Sequence, residues 1–150
     1  HGVEQVKVTL HVGPGTFLPV RDDDISQHQM HAEPWHLSET AAATLNRAKD
    51  QGRRVVSVGT TCVRVLESAT NEEGRLQTGS GLTKLFLRPG KQFAVVDALL
   101  TNFHLPKSTL LMLVAAAVGR DRLLRGDRHR LPLGHGVHRR RRIPPPPPHG

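Results

Sequence analysis

Tyrosine is absent from this 150-residue chain, and Cys62 is its single cysteine. One thiol cannot form an internal disulfide, which excludes the stapled secreted scaffolds and fits a reducing compartment. Aromatics make up 3% of the residues and hydrophobics 37%, less than a globular chain usually carries. No apolar run approaches the ~20 residues needed to cross a bilayer, and the most apolar stretch, residues 110–118, is short and alanine-rich. No signal-peptide pattern opens the sequence, so a soluble cytoplasmic protein without membrane association is the expectation.

What is present is unevenly spread. The formal charge is +8, from 21 Lys and Arg against 13 Asp and Glu, yet nine arginines and only two aspartates fall after Val118. Basicity ordinarily points to a nucleic-acid partner; here that inference belongs to the tail. The tail has no sustained periodicity, an Arg139-Arg140-Arg141-Arg142 run and five prolines from Pro144 to Pro148. Consecutive prolines form an extended polyproline helix that cannot join a packed core. The length supports one domain. It is placed at residues 1–119, with residues 120–150 as a low-complexity, disordered tail.

Between residues 6 and 12 apolar and polar side chains alternate strictly, which predicts a strand with Val6, Val8, Leu10 and Val12 facing the core and His11 on the other side. Gly13-Pro14-Gly15 ends it in a turn where backbone can approach a ligand closely. Residues 30–37 read as extended, with His31, Glu33 and Trp35 on one face. Ser38 is placed to cap a helix that Gly52 closes. Residues 53–58 read as a buried strand. Gly59-Thr60-Thr61 turns into a helix over residues 62–69, with Val63, Leu66 and Ala69 on its apolar side. Strands are expected at 82–87 and 93–96. Ser108 caps a last helix running to Gly119. Strands alternating with helices predict an α/β fold with a mixed or parallel sheet. Ligands in such sheets bind where strand-to-helix turns cluster.

Three strings stand at such turns: Thr9-Leu10-His11-Val12-Gly13-Pro14-Gly15-Thr16-Phe17, Gly59-Thr60-Thr61-Cys62-Val63-Arg64, and Thr101-Asn102-Phe103-His104-Leu105-Pro106-Lys107-Ser108-Thr109. Together they resemble the S-adenosylmethionine:tRNA ribosyltransferase-isomerase family of queuosine biosynthesis, over residues 3–119. The resemblance is to the C-terminal part of a family member. It implies part of a main α/β domain, without the β-barrel inserted in the N-terminal half. The implied activity moves the ribosyl unit of S-adenosylmethionine onto 7-aminomethyl-7-deazaguanine in tRNA to give epoxyqueuosine. The implied partners are S-adenosylmethionine and the tRNA anticodon stem-loop, with a monomer when complete. The tail departs from the family's tyrosine-rich ending, as a frameshifted terminus would. An incomplete chain of this kind is expected to be inactive alone and prone to aggregate through exposed sheet edges.

Such chemistry needs a base of near-neutral pKa, which favours histidine or a tuned carboxylate. The candidates for the catalytic work are His104, His11, His31, Glu33 and Asp97. His104 follows a strand end and precedes Pro106, which fixes the loop. Asp97 can accept from ribose hydroxyls or from loop backbone. The resemblance places His31 and Glu33 along the substrate pocket. Gly13, Gly15, Thr16, Thr60, Thr61, Arg64, Thr101 and Asn102 are the candidates for holding the donor. The free N–H groups at the start of the Thr60 helix, two hydroxyls and Arg64 one turn on suit an anion, either a tRNA phosphate or the methionine carboxylate. Glu67, three residues on, reads with Arg64 as an i, i+3 ion pair of the kind common on helix surfaces, or as a group that only orients Arg64.

His28, His31, Glu33 and His36 raise a metal site, but an extended backbone splits His31 from His36, and no metal is expected. Phe17 and Trp35 could stack on a base or pack in the core. Cys62, opening a helix, reads most simply as a small buried hydrophobe. Other classes weighed are an RNA-binding module using the basic tail and a truncated product without function. A generic methyltransferase is a further one, though no glycine-rich nucleotide loop follows the first strand.

Overall fold

The computed structural model describes residues 2–13, 16, 30–102, 104–119 and 121–123, and the backbone of 135–139. The elements run β1 (Thr9–Leu10), β2 (Glu33–Leu37), α1 (Glu39–Asp50), β3 (Val56–Val58), α2 (Thr60–Ser68), β4 (Gly79–Thr83), β5 (Ala98–Asn102), α3 (Thr109–Val118) and β6 (His135–Arg139). They form two three-stranded sheets, ordered β1-β2-β4 and β3-β5-β6. The first is antiparallel, with Leu10 opposite Trp35 and Trp35 opposite Gly81. The second pairs β3 with β5 in parallel and β5 with β6 antiparallel. Helix α2 packs against β1, β2 and β4 of one sheet and β3 and β5 of the other. The mixed α/β class expected from the alternation is the one observed.

Local capping signals act as their chemistry dictates. Ser38 Oγ accepts from the Ala41 N–H at 3.3 Å to start α1, and Ser108 Oγ accepts from the Leu111 N–H at 3.2 Å to start α3. Gly52 and Gly119 follow α1 and α3 at φ of +68° and +85°, conformations that side chains with a Cβ rarely adopt. Val63 and Leu66 of α2 and Ala69 at its C-terminal cap are buried as expected, in one cluster with Leu37, Leu87, Val95, Leu99, Leu113 and Val114.

Other expectations are corrected. The first strand is only two residues long and Val12 is exposed. The strand expected at 82–87 lies earlier, at Gly79–Thr83. Residues 93–96 form no strand, because the Glu67 carboxylate takes their N–H groups: Ala94 N at 2.7 Å on Oε2, with Val95 N at 3.1 Å and Val96 N at 3.0 Å on Oε1. Strand β3 is not buried on both faces. Ser57 is covered, while Val56 and Val58 are 53% and 65% exposed on a sheet-edge strand. Within the stretch expected to be disordered, residues 135–139 pair with the open edge of β5, from Ala98–Arg139 to Asn102–His135. Unpaired strand edges recruit such segments, and these five residues contain no proline. A further turn of helix, at 121–123, follows α3 and buries Leu123.

Gly81 lies against the only tryptophan. A Cβ there would come 3.1 Å from Trp35 Nε1 and 3.2 Å from two other indole atoms. Gly81→Ala therefore displaces the indole, with a cost of about 1 kcal/mol. Tryptophan emission and the urea midpoint report it directly, and unchanged emission would contradict this packing.

Candidate active site

Glu33 starts β2 on the same face as Trp35 and Leu37, so strand alternation drives its carboxylate into the interior, where the residue is 1% exposed. A buried carboxylate must be paired and hydrogen-bonded. Its Oε1 accepts from the Gly13 N–H at 2.8 Å and from the Thr16 hydroxyl at 2.5 Å. Its Oε2 pairs with Arg64 Nη1, on a side chain only 3% exposed. Arg64 Nη1 also donates to Thr16 Oγ1 at 3.3 Å. The glycine turn after β1, the inner face of β2 and the first turns of α2 thus share one buried network.

The third string joins through backbone. The Thr109 hydroxyl, at the start of α3, donates to the Thr16 carbonyl at 3.2 Å. The Gly59 N–H donates to the Leu100 carbonyl at 2.8 Å, which sets the corner before α2 beside the C-terminal end of β5. From that end, Thr101 Oγ1 meets His104 Nε2 at 3.1 Å. Lys107, two residues before α3, has φ of +57°, uncommon for a residue with a side chain. Ser108 Oγ donates to the Leu105 carbonyl at 2.7 Å and closes the loop. A cavity of about 30 Å³ opens among Leu10, Val12, Thr16, Thr60, Thr61, Arg64 and Leu110, residues of the first two strings with Leu110 directly after the third.

Of the expected site residues, the structure brings together Gly13, Thr16, Glu33, Thr60, Thr61 and Arg64, with Thr101 and His104 at the adjoining strand end. Gly15 lies outside the described residues, as do Phe17 and His28. Asn102 is exposed at the end of β5. His11 and His31 are exposed and flank the cluster; the His11 N–H donates to the Pro34 carbonyl at 2.8 Å. Asp97 sits before β5, at the opposite end from Thr101, where Oδ2 accepts from the Val55 N–H at 2.9 Å and clamps β3 to β5. That is a backbone-holding position, away from the cluster.

Arg64 does not pair with Glu67, which is committed to residues 94–96; its partner is Glu33, 31 residues away in sequence. The signal for it was present: a carboxylate in the inward register of a strand demands a cation. Thr109 and Leu110 were missed as members of the site, because only tertiary packing puts them there. His36 Nδ1 lies 2.8 Å from Ser80 Oγ, and among the described residues no three His, Cys, Asp or Glu side chains gather as a metal site. Burial pushes the half-buried Cys62 thiol above its ordinary pKa, opposite to what an activated nucleophile needs.

Strand-to-helix turns that gather donors around a small cavity are where α/β domains generally bind their ligands. The model of the family described as "Queuosine biosynthesis protein" matches residues 1–131, and the chain belongs to that family. The S-adenosylmethionine:tRNA ribosyltransferase-isomerase of Syntrophotalea carbinolica is 59% identical over 123 residues, covering 82% of this chain and 36% of that protein. The protein of the same name from Thermus thermophilus is 58% identical over 135 residues, covering 90% of this chain and 38% of that one. The crystal structure of S-adenosylmethionine tRNA ribosyltransferase from Thermotoga maritima superimposes with a TM-score of 0.57 at 41% identity, over 64% of this chain and 34% of that one. The chain therefore spans a little over a third of the length of these curated relatives.

Proposed function

We propose that this chain carries part of the donor cleft of an S-adenosylmethionine:tRNA ribosyltransferase-isomerase. The complete enzyme transfers and rearranges the ribosyl unit of S-adenosylmethionine onto 7-aminomethyl-7-deazaguanine in the tRNA anticodon stem-loop, giving epoxyqueuosine, as a cytoplasmic monomer. One observation carries the reading: three strings far apart in sequence meet at one cleft through the Thr16–Glu33–Arg64 network and the Thr109–Thr16 bond. Relatives at 58–59% identity bear the name of this activity.

In this reading His104, held by Thr101, is the base that takes a proton from the carbon beside the sulfonium. Thr60, Thr61 and Arg64 bind the donor, and Gly13 and Thr16 form the facing wall. Glu33 positions Arg64 and the Gly13 turn and does not itself reach the substrate.

The test is a graft. Residues 3–119 replace the matching segment of a full-length relative, and label transfer from ribosyl-labelled S-adenosylmethionine to tRNA is measured. Transfer near the relative's own rate is expected, with a drop of about 100-fold or more in the grafted His104→Gln protein. The 150-residue chain alone is expected to show no transfer. A folded graft without activity, or one indifferent to His104→Gln, would refute the assignment.

A further inference from the structure

Arg64 carries more donors than the fold uses. Its Nη1 serves Glu33 and Thr16, while Nε and Nη2 are buried and have no hydrogen-bond partner among the described residues. A buried donor without a partner is costly, and native chains keep one only where something else satisfies it. The cavity lies against this side chain, with room for one or two water-sized groups. Thr60 and Thr61, in the first turn of α2, share the Arg64 side of the helix at four- and three-residue spacing. Gly59 offers that turn no capping side chain, so the first N–H groups of the helix have no side-chain cap.

We propose that this cavity is the subsite for a terminal carboxylate, the α-carboxylate at the methionine end of S-adenosylmethionine; this rests on the donor-cleft reading above. Nε–H and Nη2–H form the side edge of a guanidinium, two parallel donors that match the two oxygens of a carboxylate. Glu33 occupies the other side of the group and holds the fork in place. Its own Oε1 is satisfied by Gly13 and Thr16, so it does not compete for the free edge.

A phosphate oxygen could use the same donors, but Arg64 is 2% exposed. A group reaching it must be the end of a chain, and an internal RNA phosphodiester continues on both sides. The walls supplied by Leu10, Val12 and Leu110 suit a flat group with an aliphatic stem. The arriving negative charge meets the helix terminus and the uncharged hydroxyls of Thr60 and Thr61, while Glu33 has already neutralised the arginine. Recognition therefore depends on hydrogen-bond geometry more than on net charge.

The experiment compares S-adenosylmethionine with its decarboxylated analogue, which keeps the adenosine and the sulfonium. Both are titrated into the unchanged 150-residue chain by calorimetry, with the Arg64 Nε–H resonance followed by ¹⁵N NMR. The expected result is binding about 10- to 100-fold tighter for S-adenosylmethionine, with the Nε–H resonance moved by it and not by the analogue. Arg64→Gln should abolish that discrimination; the comparison on the unchanged chain stands even where that variant unfolds. Equal affinity for the two ligands would overturn the carboxylate subsite and leave the donor cleft intact. Failure of both to bind would overturn the two together. Inorganic phosphate moving the Nε–H resonance, with no displacement by S-adenosylmethionine, would assign the fork to phosphate and overturn the proposal.

Discussion

Glu33→Ala is expected to lower the unfolding free energy by about 3–5 kcal/mol, the cost of stripping one partner from a buried ion pair. The variant leaves the Arg64 guanidinium buried without its counter-charge, and it frees the Gly13 N–H and the Thr16 hydroxyl from their common acceptor. A typical domain has about 5–15 kcal/mol in total, so such a loss is a large share. Glu33→Gln keeps an acceptor but not the charge, and should fall between the variant and the parent. Replacing both partners, as Glu33→Leu with Arg64→Met, removes the orphaned charge and should cost less than either single change. Urea unfolding followed by Trp35 emission, two residues from Glu33, measures all three. A loss below about 1 kcal/mol for Glu33→Ala, the range of exposed ion pairs, would mean that the pair is not buried as described.

The second large effect falls on Glu67. Its carboxylate accepts three consecutive N–H groups, from Ala94, Val95 and Val96, and the last two residues are buried. Glu67→Ala removes every one of these acceptors from a segment that has no sheet partner among the described residues. At roughly 1–3 kcal/mol for each buried group left unmade, a loss of about 2–4 kcal/mol is expected, with hydrogen exchange at Val95 and Val96 accelerated. Glu67→Gln retains one oxygen acceptor and should lose less. If Glu67 oriented Arg64 instead, Glu67→Ala would disturb Arg64 and leave the exchange of Val95 and Val96 unchanged.

These two glutamates show where the sequence was legible. Chemistry completed within a few residues could be read directly: Ser38 and Ser108 as caps, Gly52 and Gly119 as helix ends, and the apolar side of α2. The three turn strings carried the resemblance to the family that the match over residues 1–131 shows. What escaped was long-range pairing. Residues 93–96 have the composition of a strand, yet a side chain from α2 takes the hydrogen bonds that a neighbouring strand would have made. Helical spacing put Glu67 beside Arg64, while the ion pair went to a residue on another element. Asp97 is a strand-end acid in sequence and a backbone clamp in space, since only the sheet order puts Val55 beside it. The exposed Val56 and Val58 read as core because apolar strand residues usually are; their face has no cover among the described residues, in a chain spanning little more than a third of its relatives' length.

The central claim is that the Gly13 turn, the Thr60 corner and the His104 loop are walls of one donor cleft. Backbone and arginine side-chain NMR of the 150-residue chain, titrated with S-adenosylmethionine, tests it most directly. The account predicts shifts confined to Gly13, Thr16, Thr60, Thr61, Arg64, Thr101, His104 and their immediate neighbours, saturating together with one affinity. Shifts at only one of the three segments, or centred on the far end of β5 near Asp97, would contradict it.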